Sequence, residues 1–264
     1  MDLQLNDKTA LVTGSTAGIG LAIAEGLARE GATVYVNGRT KQRVDDAIKQ
    51  IAKNVPNANV KGIAADLSNG QGAEKLFREL PAVDVLVNNM GTYQLKQFAE
   101  ITDQDWLSIF ETNVLSGVRA SRHYLPAMLK KNWGRIIFIS SESAQQIPVE
   151  MIHYGMTKTA QLAVARGLAE TTVGTGVTVN SVLPGPTKSE GVGGFVKDMA
   201  KKEGVSESAV ETGFFKTARP SSLIQRFATP EEVANLVAFV ASPKSSATNG
   251  AALRVDGGVV RSIL

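Results

Sequence analysis

Short apolar runs rich in β-branched residues recur at intervals of about 25 to 50 residues, and the stretches between them carry apolar positions at helical spacing. The runs are Thr9 to Thr13, Thr33 to Val36, Val60 to Ala64, Val83 to Val87, Arg135 to Ser140, Val177 to Val182 and Ala252 to Val255. Each is almost continuously apolar rather than alternating, as expected of strands covered on both faces by helices. Between the first two runs, Ile19, Ala22, Ile23, Gly26 and Leu27 share one helical face, and Gly31 follows where a helix would stop. The alternation predicts βαβ units in one α/β domain spanning residues 1–264, with a seven-stranded, doubly wound parallel sheet. No repeat or Pro/Ser-rich linker offers a boundary. The regular alternation fails at residues 187–226, where five glycines accompany Phe195, Met199, Phe214 and Phe215. A loop of that length predicts a substrate lid, although these apolar residues fit packing onto the body of the protein equally well.

Composition narrows the chemistry. The 264 residues include 43% hydrophobic and 20% charged, and Lys plus Arg exceed Asp plus Glu by 28 to 25 with the basic residues dispersed. With 6% aromatic residues and no basic stripe, nucleic acid is not an expected partner. There is no cysteine, and the two histidines, His123 and His153, lie far apart in sequence, which argues against a metal centre. A Gly-x-Ser-x-Gly elbow is absent, which argues against a serine hydrolase. No apolar run approaches the roughly 18 residues of a membrane helix, and Asp2, Asn6 and Asp7 interrupt any signal-like run, so the expectation is a cytoplasmic protein without membrane partners.

Thr13 to Gly20 reads Thr-Gly-Ser-Thr-Ala-Gly-Ile-Gly, following one predicted strand and opening one predicted helix. In that context Gly14 permits a tight turn, Gly18 lets backbone approach a pyrophosphate, and Gly20 lets helix and strand pack closely. An anion would meet free N–H groups at the positive end of the helix. The reading is a Rossmann-type dinucleotide site, against the alternative of a glycine-rich turn with no ligand. At the end of the second run, where a carboxylate would bind a ribose 2′-hydroxyl, stand Asn37, Gly38 and Arg39. Arg39 suits a 2′-phosphate, so NADP(H) is favoured and NAD(H) stays open. The alternative for Arg39, Lys41 and Arg43 is a solvated helix start. After the third run, Asp66 and Leu67 fit an adenine contact or a plain helix cap. Asn88-Asn89-Met90-Gly91 closes the fourth run as crevice amides or as turn chemistry.

Tyr154 and Lys158 stand at i and i+4 on a stretch of helical spacing, with Ser141 thirteen residues upstream at the end of the fifth run. A neighbouring ammonium lowers the pKa of a phenol, which would suit Tyr154 to proton exchange. With the glycine loop, Asn113, Pro184-Gly185 and the closing Arg254 to Gly258 in the same order, the chain resembles the short-chain dehydrogenase/reductase family from Lys8 to about Gly258, including its 3-oxoacyl-ACP reductases. The resemblance implies that Tyr154 exchanges a proton with the substrate oxygen, Ser141 hydrogen-bonds that oxygen, and Lys158 lowers the phenol pKa and holds the nicotinamide ribose. It implies that Asn113 anchors a proton-carrying water chain, that Asp66 contacts adenine and that Asn89 lies on the adenosine ribose side. Gly14, Ser15, Thr16, Gly18, Ile19, Gly20, Arg39, Leu67, Gly91, Pro184, Gly185, Thr187 and Ser189 complete the implied cofactor surface, with Thr187 or Ser189 toward the carboxamide. Three positions depart from the family pattern: Met90 replaces a small residue, Ser189 replaces a threonine, and Glu142 follows the serine. Glu142, with Glu150 and His153, would make the pocket rim polar, or Glu142 and Glu150 would simply be solvated. The implied function is hydride transfer between NADP(H) and a small-molecule carbonyl or secondary alcohol, by a homotetramer or homodimer. The alternative is a nucleotide-binding regulator on the same fold without turnover.

Overall fold

The computed structural model describes residues 1–263, with the side chain of Phe195 outside the described part. All seven runs form strands: β1 (Thr9–Val12), β2 (Thr33–Gly38), β3 (Val60–Ala64), β4 (Val85–Asn88), β5 (Gly134–Ile139), β6 (Val177–Pro184) and β7 (Ala252–Val255). They pair in parallel in the order β3-β2-β1-β4-β5-β6-β7. β2 runs two residues further than the apolar run because Asn37 and Gly38 stay in register with Ile63 and Ala64 of β3.

Helices α1 (Gly18–Arg29), α2 (Lys41–Asn54) and α9 (Pro230–Ala241) cover one face. Helices α3 (Gly70–Glu79), α5 (Ser116–Lys131) and α6 (Ile152–Glu170) cover the other. Alternate strand residues face opposite ways, so Ala10 and Val12 pack with the first layer while Leu11 between them packs with the second. The doubly wound fold therefore holds, and the strand order reverses between β1 and β4. At such a reversal the crossover helices leave on opposite faces, opening a crevice at the carboxyl ends of the strands.

Residues 187–226 are not a loop. Ser189 caps α7 (Glu190–Glu203) and Ser206 caps α8 (Glu207–Thr217), with Gly204 in the left-handed conformation between them. Val196, Ala200, Val210, Phe215 and Phe227 form a third, smaller apolar cluster, against which Met199 and Phe214 pack. Phe214 stacks on Phe227 with centroids 5.0 Å apart, and both ring-pair with Phe215. Of the four apolar residues read in this stretch, Met199, Phe214 and Phe215 thus pack on one another, and Phe195's side chain lies outside the described residues. The segment is closed at its base, where Lys188 N donates to Ala228 O (2.8 Å) and Ala228 N to Pro186 O (2.9 Å).

Candidate active site

The glycine loop after β1 turns through left-handed backbone at Gly14 (φ 59°) and Gly18 (φ 56°), which residues with a Cβ adopt only with strain. At Gly20 a Cβ would fall 2.6 Å from Gly14 O, so the close packing expected there is present. Ala17 at the start of α1 provides no side-chain cap, which leaves the first-turn N–H groups facing the crevice without a side-chain acceptor. Ser15 is turned inward: its hydroxyl donates to Val12 O (2.6 Å) and accepts from Asn37 N (2.9 Å).

Two side chains that the motif reading passed over hold this loop. Buried Asn37 accepts from Gly14 N through Oδ1 (3.3 Å) and donates through Nδ2 to Ile63 O and Ala65 O, both at 3.1 Å. Thr13 Oγ1 accepts from Asn89 N (2.9 Å) and Met90 N (3.2 Å). Asn89 Nδ2 in turn donates to Thr13 O and Gly14 O at 3.0 Å, so its amide ties β4 to the loop. The sequence signal for Asn37 was its amide inside an apolar strand, a group that burial obliges to find partners.

Arg39 is exposed beyond the end of β2 and makes no hydrogen bond or ion pair among the described residues. Lys41 and Arg43 pair instead with Asp45 (2.6 Å) and Glu190 (3.8 Å). Asp66 Oδ1 accepts from Ser68 N (3.1 Å), while α3 is capped by Asn69, so the cap expected at Asp66 sits three residues later. Leu67 is a core side chain, leaving its backbone for any contact in the crevice. Thr187 is buried with its hydroxyl donating to Gly185 O (2.9 Å), and Ser189 acts as the cap of α7.

Across the crevice, Asn113, Ser141, Tyr154 and Lys158 come together. Helix α4 (Asp103–Phe110) widens into a π-turn at Glu111–Leu115 before α5, and Asn113 lies in that turn. Its Oδ1 accepts from Thr92 N (2.8 Å), and its Nδ2 donates to Thr92 O (2.9 Å) and Thr157 Oγ1 (3.0 Å). Its backbone carbonyl accepts from Gln161 Nε2 (2.6 Å), and Gln161 Oε1 accepts from Lys158 Nζ (3.2 Å). Lys158 Nζ also donates to Ile139 O (3.0 Å) at the end of β5. The amine is thus aimed by a chain running from the π-turn to the strand end. Gly91 borders it: a Cβ there would sit 3.4 Å from Lys158 Nζ and 3.8 Å from Asn113 Oδ1.

Helix α6 can approach the turn after β5 because Gly155 has no side chain; a Cβ there would lie 3.2 Å from Ser143 O and 2.8 Å from Ile147. That approach puts Tyr154 beside Ser141. Tyr93 stands edge-on to Tyr154, with centroids 6.2 Å apart. The phenol's pKa lies above its usual value, not below it: burial is the main cause and the Glu142 charge adds to it, while the hydrogen bond shared with Ser141 and the charge of Arg219 work against it. Burial also brings Lys158 down to about 8. Lys158 is not among the groups that move the phenol in this arrangement: its amine bonds to Ile139 O and Gln161 and stands 5.6 Å from the Tyr154 ring centroid.

The rim residues also differ from expectation. Glu142 is 5% exposed rather than solvated. Its Oε2 accepts from Ser141 Oγ, and its Oε1 from Arg219 Nε at 3.1 Å. His153 is buried against Trp106, with centroids 5.9 Å apart, and is not part of a polar rim. Met90 packs against the second apolar layer and fills the space over Gly14, where its sulfur would lie 3.2 Å from a Cβ.

Known proteins share both the sequence and the fold. The family model for short chain dehydrogenases matches residues 8–200. The chain is 48% identical, over the full length of both, to an uncharacterized oxidoreductase of Bacillus subtilis, YvaG. It is 32% identical to a 3-oxoacyl-[acyl-carrier-protein] reductase of Aquifex aeolicus, covering 98% of this chain and 100% of the other. An L-sorbose reductase from Gluconobacter frateurii, solved with NADPH and L-sorbose, superposes with a TM-score of 0.92 at 30% identity, with both chains fully covered. Glycine loop, strand order and sequence kinship agree, and the chain belongs to the short-chain dehydrogenase/reductase family of oxidoreductases.

Proposed function

We propose that the protein moves hydride between NADP(H) and a carbonyl or secondary alcohol, with Tyr154 carrying the proton to and from the substrate oxygen. The observation that carries this reading is the convergence of Ser141, Tyr154, Lys158 and Asn113 at the carboxyl ends of β4 and β5, facing a glycine loop across one crevice. The fit to a dinucleotide rests on Gly14 and Gly18 in left-handed backbone, on the N-terminus of α1 without a side-chain cap, and on Arg39 without a partner among the described residues. When bound, the nicotinamide supplies or accepts the hydride. Ser141 and Tyr154 orient the substrate oxygen, and the phenol, held protonated by burial, donates as that oxygen gains charge. Lys158, fixed by Ile139 O and Gln161, would hold the nicotinamide ribose, and Gln161 links this amine to Asn113, which in turn bonds to Thr92 and Thr157.

Arg39 gives the NADP(H) preference: a charge-assisted hydrogen bond contributes roughly 1.5–3 kcal/mol, and no acidic residue at the end of β2 repels a 2′-phosphate. We further read residues 187–226 as a lid over the substrate side and the assembly as a homodimer or homotetramer. Fluorescence titration should show tighter binding of NADPH than NADH, with the difference lost in Arg39→Ala. Equal or tighter NADH binding by the parent would overturn the cofactor assignment. NADPH absorbance with a panel of ketones, aldehydes, β-ketoacyl thioesters and keto-sugars then identifies the substrate class. The keto-sugars are included because the sorbose reductase shares the whole fold. A chain that binds NADPH and turns over nothing in the panel would favour the regulator reading.

A further inference from the structure

Glu142 has no role in the chemistry proposed above, yet it is buried beside Ser141 with both carboxylate oxygens engaged. Its second partner, Arg219, lies just past the end of α8 and is itself nearly buried. Arg219 Nη1 donates to Ala218 O (2.8 Å) and stands 3.7 Å from Glu150 Oε1. A buried carboxylate that loses one partner is left with uncompensated charge, so each half of this pair constrains the other.

The serine makes the arrangement consequential. A hydroxyl has one proton to donate, and in this structure Ser141 gives it to Glu142. A carbonyl oxygen entering the site competes for that proton. Rotation about the serine C–O bond redirects it without breaking a covalent bond, but Glu142 then keeps only Arg219.

We propose that Arg219, carried on the 187–226 segment, is a positioning residue that acts through Glu142 to set the direction of the Ser141 hydroxyl and the charge facing the Tyr154 phenol. The proposal rests on the reading that Ser141 and Tyr154 address the substrate oxygen. With Arg219 in place, Glu142 remains paired when Ser141 turns to substrate; without it, the carboxylate holds the serine proton and its full charge bears on the phenol. The groups that face Tyr154 are Glu142 after β5, Arg219 after α8, Tyr93 after β4 and Lys158 on its own helix. Glu142 and Tyr93 push the phenol up and Arg219 pulls it down, so the two members of the pair act in opposite directions.

The test is a double-mutant cycle in the full-length enzyme with Glu142→Gln, Arg219→Gln and both together, and with Arg219→Lys as the charge-keeping control. The first readout needs no substrate: the ring ¹³Cζ chemical shift of Tyr154 at neutral pH, in tyrosine-labelled protein, identified as the signal missing from the Tyr154→Phe variant. Glu142→Gln, which removes a like charge facing the phenol, and Arg219→Gln, which removes an opposite one, should move this shift in opposite directions. The double variant should return it toward the parent, and Arg219→Lys should leave it near the parent. With an authentic carbonyl substrate, Arg219→Gln should lower kcat at least about tenfold with NADPH affinity kept, and the double variant should recover part of that loss. If the single variants change Tm or rate without moving the Tyr154 signal, or if their effects merely add, the pair is structural and the proposal fails. Should Arg219→Gln not fold, the double variant and Arg219→Lys against Glu142→Gln decide the same question. Absence of turnover across the panel, with the Tyr154 signal shifts present, would count against the proposed hydride transfer and leave the coupling standing.

Discussion

Tyr154 and Lys158 stand one helical turn apart, and burial acts on both in favour of the uncharged form, raising the phenol and bringing the amine down to about 8. For Tyr154 this means a proton held ready to donate. Tyr154→Phe keeps the ring and removes that proton, so carbonyl reduction should fall by roughly 10²- to 10⁴-fold while NADPH affinity is retained, as read by absorbance and by titration. Near-parental turnover would eliminate the phenol as proton carrier. For Lys158 the shift is also a statement about stability. Its folded-state pKa lies below its value of 10.5 in the unfolded chain, so between about 8 and 10.5 the unfolded chain binds more protons and the folded state gains stability as pH rises. Lys158→Met removes that gain. The stability of the parent relative to this variant, from urea unfolding, should rise across this window, and a flat difference would mean that the amine is not buried in solution. Both residues were legible in the sequence as a spaced pair; their proton affinities were not. Those depend first on burial and, for Tyr154, then on Glu142 and Arg219, brought alongside by separate elements of the fold.

At the scale of elements, the strands were the most legible part, because apolar β-branched runs buried on both faces leave little choice of structure. β2 was read two residues short because Asn37 and Gly38 break the apolar run. The sheet keeps them, since the Asn37 amide finds acceptors on Ile63 and Ala65. The helices of residues 187–226 were missed for a different reason. Their glycines weaken helical spacing, but Ser189, Gly204 and Ser206 are cap and stop signals whose meaning depends on helices being there to receive them. These helices share an apolar cluster apart from the two main layers. Phe215→Ala should therefore cost about 3–5 kcal/mol in local stability. Hydrogen exchange should speed in α7 and α8 while amides of β1, β4 and β5 keep their protection. Uniform acceleration across the sheet would show that the segment unfolds only with the rest.

Across the whole molecule, the described residues include no helix long and apolar enough to cross a membrane. The surface nevertheless exposes Phe98 (64%) and Leu107 (65%) near α4, beside a π-turn that carries Asn113. We read these exposed apolar groups as belonging to a face for association, for which closed pairing is the common form. Light scattering at micromolar concentration should give a dimer or tetramer mass, falling on Leu107→Asp; a sharp monomer mass for the parent would end the assembly proposal. Which apolar positions stay uncovered is decided by the folded chain, since helical spacing alone does not say which of two apolar faces is packed.

The closed base of the 187–226 segment has a consequence for how such a protein diversifies. Chain enters and leaves at neighbouring points, Thr187 bridged to Ala228, and between them the segment meets the body through Leu223 N and Ile224 N on Gly257 O, Ser221 on Val259 O and Arg219 on Glu142. Recombination at these two points could replace the roughly 40 intervening residues without cutting a strand or shifting the register of β6 against β7. The segment is in that sense a transplantable cassette: its contacts on Gly257 and Val259 use backbone carbonyls that any donor can meet, but its contact on Glu142 sets a condition of inheritance. A donor cassette that lacks Arg219 would arrive beside a buried Glu142 with nothing to answer its charge, so the two positions have to travel, or be lost, together.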